Sequence, residues 1–135
     1  MGVRRRTALL TGCLACAPRA LWAAPCKPVG AVDAGPIPAV GQSRLIEADA
    51  RLVVGRDASG IYAFSGMCTH MGGAVYLEAD GTSRCPAHDS RFGKNGEVLK
   101  GPALRGLPHF AVRVCDGRVW VDTTAVVPPD ARTPP

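Results

Sequence analysis

Two short segments constrain this chain more than anything else in it: "CTHMGG" at residues 68–73 and "CPAHDS" at residues 85–90. Each sets a thiol beside an imidazole, spaced C-x-H in the first and C-x-x-H in the second, with fourteen residues between His70 and Cys85. Thiolates and imidazoles bind soft and borderline metals, and a shared metal forces two separate loops to converge. Four ligands of two kinds fit a Cys2His2 zinc site. Zinc sites usually group like with like, so that each pair grips from one hairpin or helix. Here each loop contributes one of each. That interleaving suits a two-iron cluster, with both thiolates on one iron and both imidazoles on the other.

The rest of the chain reads as strands and turns. At 135 residues it is one small domain, 47% apolar, punctuated by sixteen glycines and twelve prolines. That mixture predicts short strands joined by turns, an all-β fold, and no segment carries a sustained helical period. Leu52–Val54 and Ile61–Phe64 flank the polar turn "RDASG" and predict a hairpin. A second hairpin is predicted around Asp116-Gly117, a strong two-residue turn signal between alternating runs. Its register pairs Val114 with Val119 and Val112 with Val121, and sets Arg113 opposite Trp120, where a guanidinium can lie over the indole. Residues 124–135, with the proline-rich end "VPPDARTPP", read as a disordered tail.

The formal charge of +5 does not point to nucleic acid. Arg4, Arg5, Arg6 and Arg19 lie in the first 24 residues, which contain no Asp or Glu, and the remainder holds twelve basic against eleven acidic residues. The basicity belongs to residues 1–24, whose cationic start, apolar run Ala8–Ala17 and small residues near Ala23-Ala24 follow the order of an export signal. Arg5-Arg6 resembles a twin-arginine signal, an ordinary secretory signal being the other reading. The apolar run is too short to span a bilayer, so membrane association would come only through this leader or through lipidation at Cys13, in the lipoprotein-like "LTGC".

Cys68-Thr69-His70 and Cys85-Pro86-Ala87-His88, with Met71-Gly72-Gly73, Ser90, Gly96 and "GPALRGLP" (Gly101–Pro108) around them, resemble the Rieske [2Fe–2S] motif. The resemblance runs from about Val29 to Asp122, and the domain is set at 27–123. It implies an antiparallel β-sandwich or barrel with a small cluster-binding subdomain made of the two Cys/His loops. It implies one [2Fe–2S] cluster held by Cys68, His70, Cys85 and His88, and one-electron transfer to redox partners that dock at His70 and His88. Gly72 and Gly73 would let backbone amides approach the cluster. Ser90 falls where high-potential members carry a serine that hydrogen-bonds a bridging sulfide. Phe92 falls where they often carry a tyrosine, and Pro102 lies in a third loop that covers the cluster. Gly73 and Ala87 stand where those members have a disulfide between the loops, so this chain is more similar to Rieske-type ferredoxins.

Several roles stay open at this point: a periplasmic or cell-envelope electron carrier, a small subunit of an arsenite oxidase-like complex, a ferredoxin component of an oxygenase system, or a zinc-stabilised binding module. An oxygenase itself is excluded, because its second iron needs two histidines and a carboxylate, and only His109 is left over. His109 reads as structural or exposed. With cleavage near Ala24, Cys26 and Cys115 form a leftover pair, either a disulfide of an exported protein or two unrelated thiols.

Overall fold

The structure, a computed structural model, describes residues 25–47 and 50–135. The expected export segment 1–24 and its Cys13 lie outside the described residues. Ten strands follow one another: β1 (Val32–Pro36), β2 (Ser43–Glu47), β3 (Arg51–Asp57), β4 (Gly60–Ser65), β5 (Tyr76–Leu77), β6 (Ser83–Cys85), β7 (Ser90–Phe92), β8 (Val98–Lys100), β9 (His109–Cys115) and β10 (Arg118–Val127). They form a six-stranded sheet in the order β1-β10-β9-β4-β3-β2 and a four-stranded sheet in the order β5-β6-β7-β8. Every strand pairing is antiparallel, in keeping with the all-β expectation.

The β3–β4 hairpin is the centre of the molecule. Its turn is closed by the Asp57 carboxylate, which accepts from the amides of Ser59 at 2.8 Å and Gly60 at 3.0 Å. Both strands are apolar on both faces, which only burial on both sides can satisfy. On one face Val53, Tyr62 and Phe64 pack with Cys68, Cys85, Phe92 and Leu107. On the other, Leu52, Val54, Ile61 and Ala63 pack with Ala34, Val119 and Val121. Each large side chain so buried contributes roughly 1.5–3 kcal/mol. Two cores therefore share one hairpin, and neither is independent of the other. Gly55 makes this possible on the inner face: a Cβ there would stand 2.5 Å from the Tyr62 hydroxyl oxygen.

The second hairpin has the predicted register, with Val119 opposite Val114, Trp120 opposite Arg113 and Val121 opposite Val112. Its turn residues Asp116 and Gly117 take φ of 51° and 71°. The cation over Trp120 is not Arg113, however, but Lys27, 4.0 Å from the ring centroid. The reason is the neighbouring disulfide between Cys26 and Cys115, whose Cα atoms are 5.6 Å apart. It draws the N-terminal segment across this hairpin and brings Lys27 to the indole.

The expected disordered tail is corrected by its contacts. β10 runs on to Val127. Beyond it, Thr133 and Ile61 exchange two backbone hydrogen bonds, 2.8 and 2.9 Å. Arg132 donates to the Asp57 carboxylate at 2.7 Å and to Asn95 Oδ1 at 2.8 Å, with its guanidinium over the Tyr62 ring. Composition announces disorder here, but one half-buried arginine and one added bridge give the prolines something to hold.

Candidate metal centre

The two Cys/His segments sit at one end of the molecule. The first leaves β4 and is folded by local backbone bonds: the Cys68 amide donates to Gly73 O and the Gly72 amide to Cys68 O, both at 2.8 Å. Gly72 takes φ of 73°, a conformation that favours glycine. Its amide closes the turn on Cys68 O. Gly73 has a different constraint. A Cβ at that position would lie 3.0 Å from the Cys85 sulfur and 3.4 Å from the Ala87 Cβ, so the first loop passes tightly against the second.

The second segment is the turn between β6 and β7, where Cys85 pairs with Ser90. Alternation along these strands points Ser83, Cys85, Ser90 and Phe92 inward and Arg84 and Arg91 outward. Cys68 and Cys85 end up 4% and 2% exposed in the same core as Phe92. Burial pushes the Cys85 thiol up, as do its hydrogen bond and charge contact with Cys68, while the amides of Ala87 and His88 pull the other way by donating to its sulfur. Such amides stabilise a thiolate ligand. His70 and His88 are exposed, with ring centroids 4.9 Å apart and nearly perpendicular planes.

The third loop, Gly101–Pro108, closes over these two. Ala103 and Leu107 are buried with the cysteines, whereas Pro102, Leu104 and Arg105 stay exposed. The Ala103 amide donates to Ser90 Oγ at 3.0 Å, which leaves the Ser90 hydroxyl proton free to donate elsewhere. Thr69, the residue between the first pair of expected ligands, donates to Arg105 O at 2.6 Å. Sequence reasoning passed over Thr69, since a lone threonine carries no signal of a partner 36 positions away. It also passed over Asp89, which follows His88 at φ of 60° and meets Arg84 at 2.7 Å, Arg91 at 3.7 Å and Lys100. Hydrogen bonds from Lys100 and Arg84 hold its carboxyl at about 2. The two flanking arginines were the available clue.

His109 is structural. It is 3% exposed, packs on Phe64 at 5.3 Å and bonds through Nδ1 to Leu107 O at 3.2 Å.

The donor set can be tested against the two candidate metals. A tetrahedral zinc needs all four ligands around one point. Here Cys68 and Cys85 are buried, whereas His70 and His88 are exposed. Two thiols in the interior and two imidazoles at the surface instead make two separate pairs, the division that a two-iron cluster requires.

The Rieske [2Fe-2S] domain profile matches residues 29–111. The chain is similar to the chloroplastic cytochrome b6-f complex iron-sulfur subunit of Pisum sativum, 38% identical over 80 residues, covering 53% of this chain and 35% of that protein. It is similar also to the corresponding subunit of Chlorobaculum tepidum, 30% identical over 74 residues, covering 54% of this chain and 41% of that protein. It thus spans well under half the length of these two relatives. Among solved structures, the cyanobacterial plasma membrane Rieske protein of Synechocystis PCC 6803 superposes with a TM-score of 0.52 at 32% identity, over 60% of this chain and 86% of that one. A profile covering most of the chain, on a fold that gathers two Cys–His pairs at one end, leaves a single assignment: the chain belongs to the Rieske family, whose domain binds a [2Fe–2S] cluster.

Proposed function

We propose that this protein is a one-electron carrier of the cell envelope. Cys68 and Cys85 would hold one iron and His70 and His88 the other, and the cluster would supply a reversible one-electron couple. The observation that carries this reading is the split in exposure: both thiols lie in the core, while both imidazoles reach solvent. The buried thiols fix the cluster against the β3–β4 hairpin, and the imidazoles offer the shortest route for an electron to a docked partner. Ser90 has a proton to give to the cluster, and the loop Gly101–Pro108 shields the site from water on the side that Ala103 and Leu107 close.

The disulfide Cys26–Cys115 supports the placement, since such bonds persist in oxidising compartments. The twin-arginine-like leader agrees with it, and so do relatives named for cytochrome b6-f complexes and a plasma membrane protein.

Anaerobically purified protein should contain about two irons and two acid-labile sulfides per chain. After reduction it should show the low-average-g electron spin resonance of mixed Cys/His ligation. Stoichiometric zinc with no visible absorption would overturn the proposal.

A further inference from the structure

The outer face of the four-stranded sheet carries an unusual row. Register places Tyr76 opposite Arg84, Arg84 opposite Arg91, and Arg91 opposite Lys100, so three cations stand side by side on adjacent strands. Their side chains are 44%, 51% and 59% exposed. Like charges directly opposite one another destabilise a sheet. Asp89 alone is paired with all three, so three cations share one carboxylate next to His88. Glu78 and Asp80 also border Arg84 and Arg91 but not Lys100, so the positive excess lies on the Lys100 side of the row.

The asymmetry extends over the whole end. Residues 66–74, 84–91 and 99–106 hold four cations and one carboxylate, whereas the rest of residues 25–135 holds eight basic and ten acidic residues. Apolar side chains complete the surface, with Met71 75% and Leu104 93% exposed. A folding argument gives no reason to align three cations in register beside an electron exit. A docking argument does, because an opposing acidic surface removes their repulsion on contact and speeds encounter.

Resting on the electron-carrier reading, we infer that the row Arg84–Arg91–Lys100 docks a redox protein whose own centre is flanked by acidic residues. The contact places that centre against His70 and His88, with Met71 and Leu104 as the dry middle of the interface.

The test uses the reduced holoprotein, mixed rapidly with either an acidic blue-copper protein or a basic c-type cytochrome. Colour and reducibility are read before mixing. The bimolecular rate with the acidic acceptor should fall about tenfold or more between low and high ionic strength, and the basic acceptor should show the opposite trend. Arg91→Glu and Lys100→Glu should each lower the low-salt rate with the acidic acceptor about threefold or more. Each gives a neighbouring arginine an opposite charge but removes an ion pair of Asp89, so an unchanged cluster spectrum and far-ultraviolet circular dichroism are required to show that the domain stays folded. A rate with the acidic acceptor that ignores both salt and these substitutions overturns the inference while leaving the carrier reading intact. So does saturable binding to phosphatidylglycerol vesicles without a salt-dependent reaction, which would assign the row to a lipid surface. A colourless protein sinks the carrier reading and this inference with it.

Discussion

His70 and His88 stand edge to face, 4.9 Å between ring centroids and 87° between planes, although they belong to different loops. Neither loop could place its imidazole there alone. The first is held by its own turn bonds and by the hydrogen bond from its Thr69 to Arg105 O on the third loop, the second by the β6–β7 pairing. No spare ligand stands by: the remaining histidine, His109, is buried against Phe64. His70→Ala and His88→Ala should therefore each abolish the visible absorption and the bound iron, while far-ultraviolet circular dichroism still reports the sheets. Retention of a full complement of iron in either variant would exclude that histidine as a ligand.

The reduction potential should be governed by Ser90 and Phe92, both fully buried beside the cysteines. Ser90 has a hydroxyl proton to donate and Phe92 has none, so a value in the middle or lower part of the Rieske range, about −150 to +300 mV, is expected. Phe92→Tyr should raise it, and Ser90→Ala should lower it. The serine change should also loosen the third loop, because the Ala103 amide loses its acceptor, at about 1–3 kcal/mol. Protein-film voltammetry reads the first effect and thermal unfolding the second. A potential that does not respond to Phe92→Tyr would show that no hydroxyl at that position reaches the cluster.

Both hairpins were legible because their turn chemistry and alternation are local. Asp116-Gly117 sets the register of Val112, Val114, Val119 and Val121 without outside help. The four cluster residues were legible because they are few and their spacing is rare. What local pattern could not show were the long-range polar contacts. Thr69 to Arg105 and Asp89 to Lys100 depend on how loops meet, and Lys27 reaches Trp120 only because a disulfide carries it there. The same holds for Arg132, which lies in a stretch whose composition argues for disorder and whose contacts do not.

Gly73 and Ala87 bring the two loops to within reach of a covalent link. A Cβ built on Gly73 lies 3.4 Å from that of Ala87, just under the spacing of about 3.5–4.5 Å that a disulfide needs. The double variant Gly73→Cys, Ala87→Cys should oxidise spontaneously and slow loss of the cluster on heating. The single variant Gly73→Val should do the reverse, because it brings the same Cβ to 3.0 Å from the Cys85 sulfur and adds two methyl groups, with no new bond to offset the crowding. Thiol labelling with and without reductant checks the bond, and bleaching of the visible spectrum checks the consequence.

Cutting the Cys26–Cys115 link should affect the other end of the molecule. The bridge spans 89 positions and joins the N-terminal segment to the β9–β10 hairpin. In the chain-entropy account a loop of that length contributes up to about 4–5 kcal/mol. Cys115→Ser should lower the unfolding free energy by a measurable part of that while leaving the cluster spectrum unchanged, since Cys68 and Cys85 lie in the core on the opposite face of β3 and β4. Loss of the cluster in the folded variant would mean that the two cores are coupled more tightly than their shared hairpin implies.

The C-terminal segment should act as a strap on that shared hairpin. Thr133 extends β4 at Ile61 by two backbone hydrogen bonds, and its hydroxyl donates to Val112 O at 2.8 Å. Arg132, whose side chain is 14% exposed, joins Asp57 in the β3–β4 turn to Asn95 near β8. Burial would raise the Asp57 carboxyl, but the Arg132 hydrogen bond and the amides of Ser59 and Gly60 outweigh it and hold the group below its ordinary 3.8. A carboxylate depressed in this way stabilises the fold above pH 3.8 and loses that contribution as pH falls through its folded value. Arg132→Ala should therefore destabilise the protein at pH 6 and matter progressively less as acid protonates Asp57. Truncation after Val127 should cost more than Arg132→Ala, because it also removes the Thr133 bridge and uncovers Ile61. Urea titrations of the three proteins at pH 6 and pH 3 measure both differences. Equal stability of the truncated and full chains at pH 6 would mean that residues 128–135 contribute nothing to the fold.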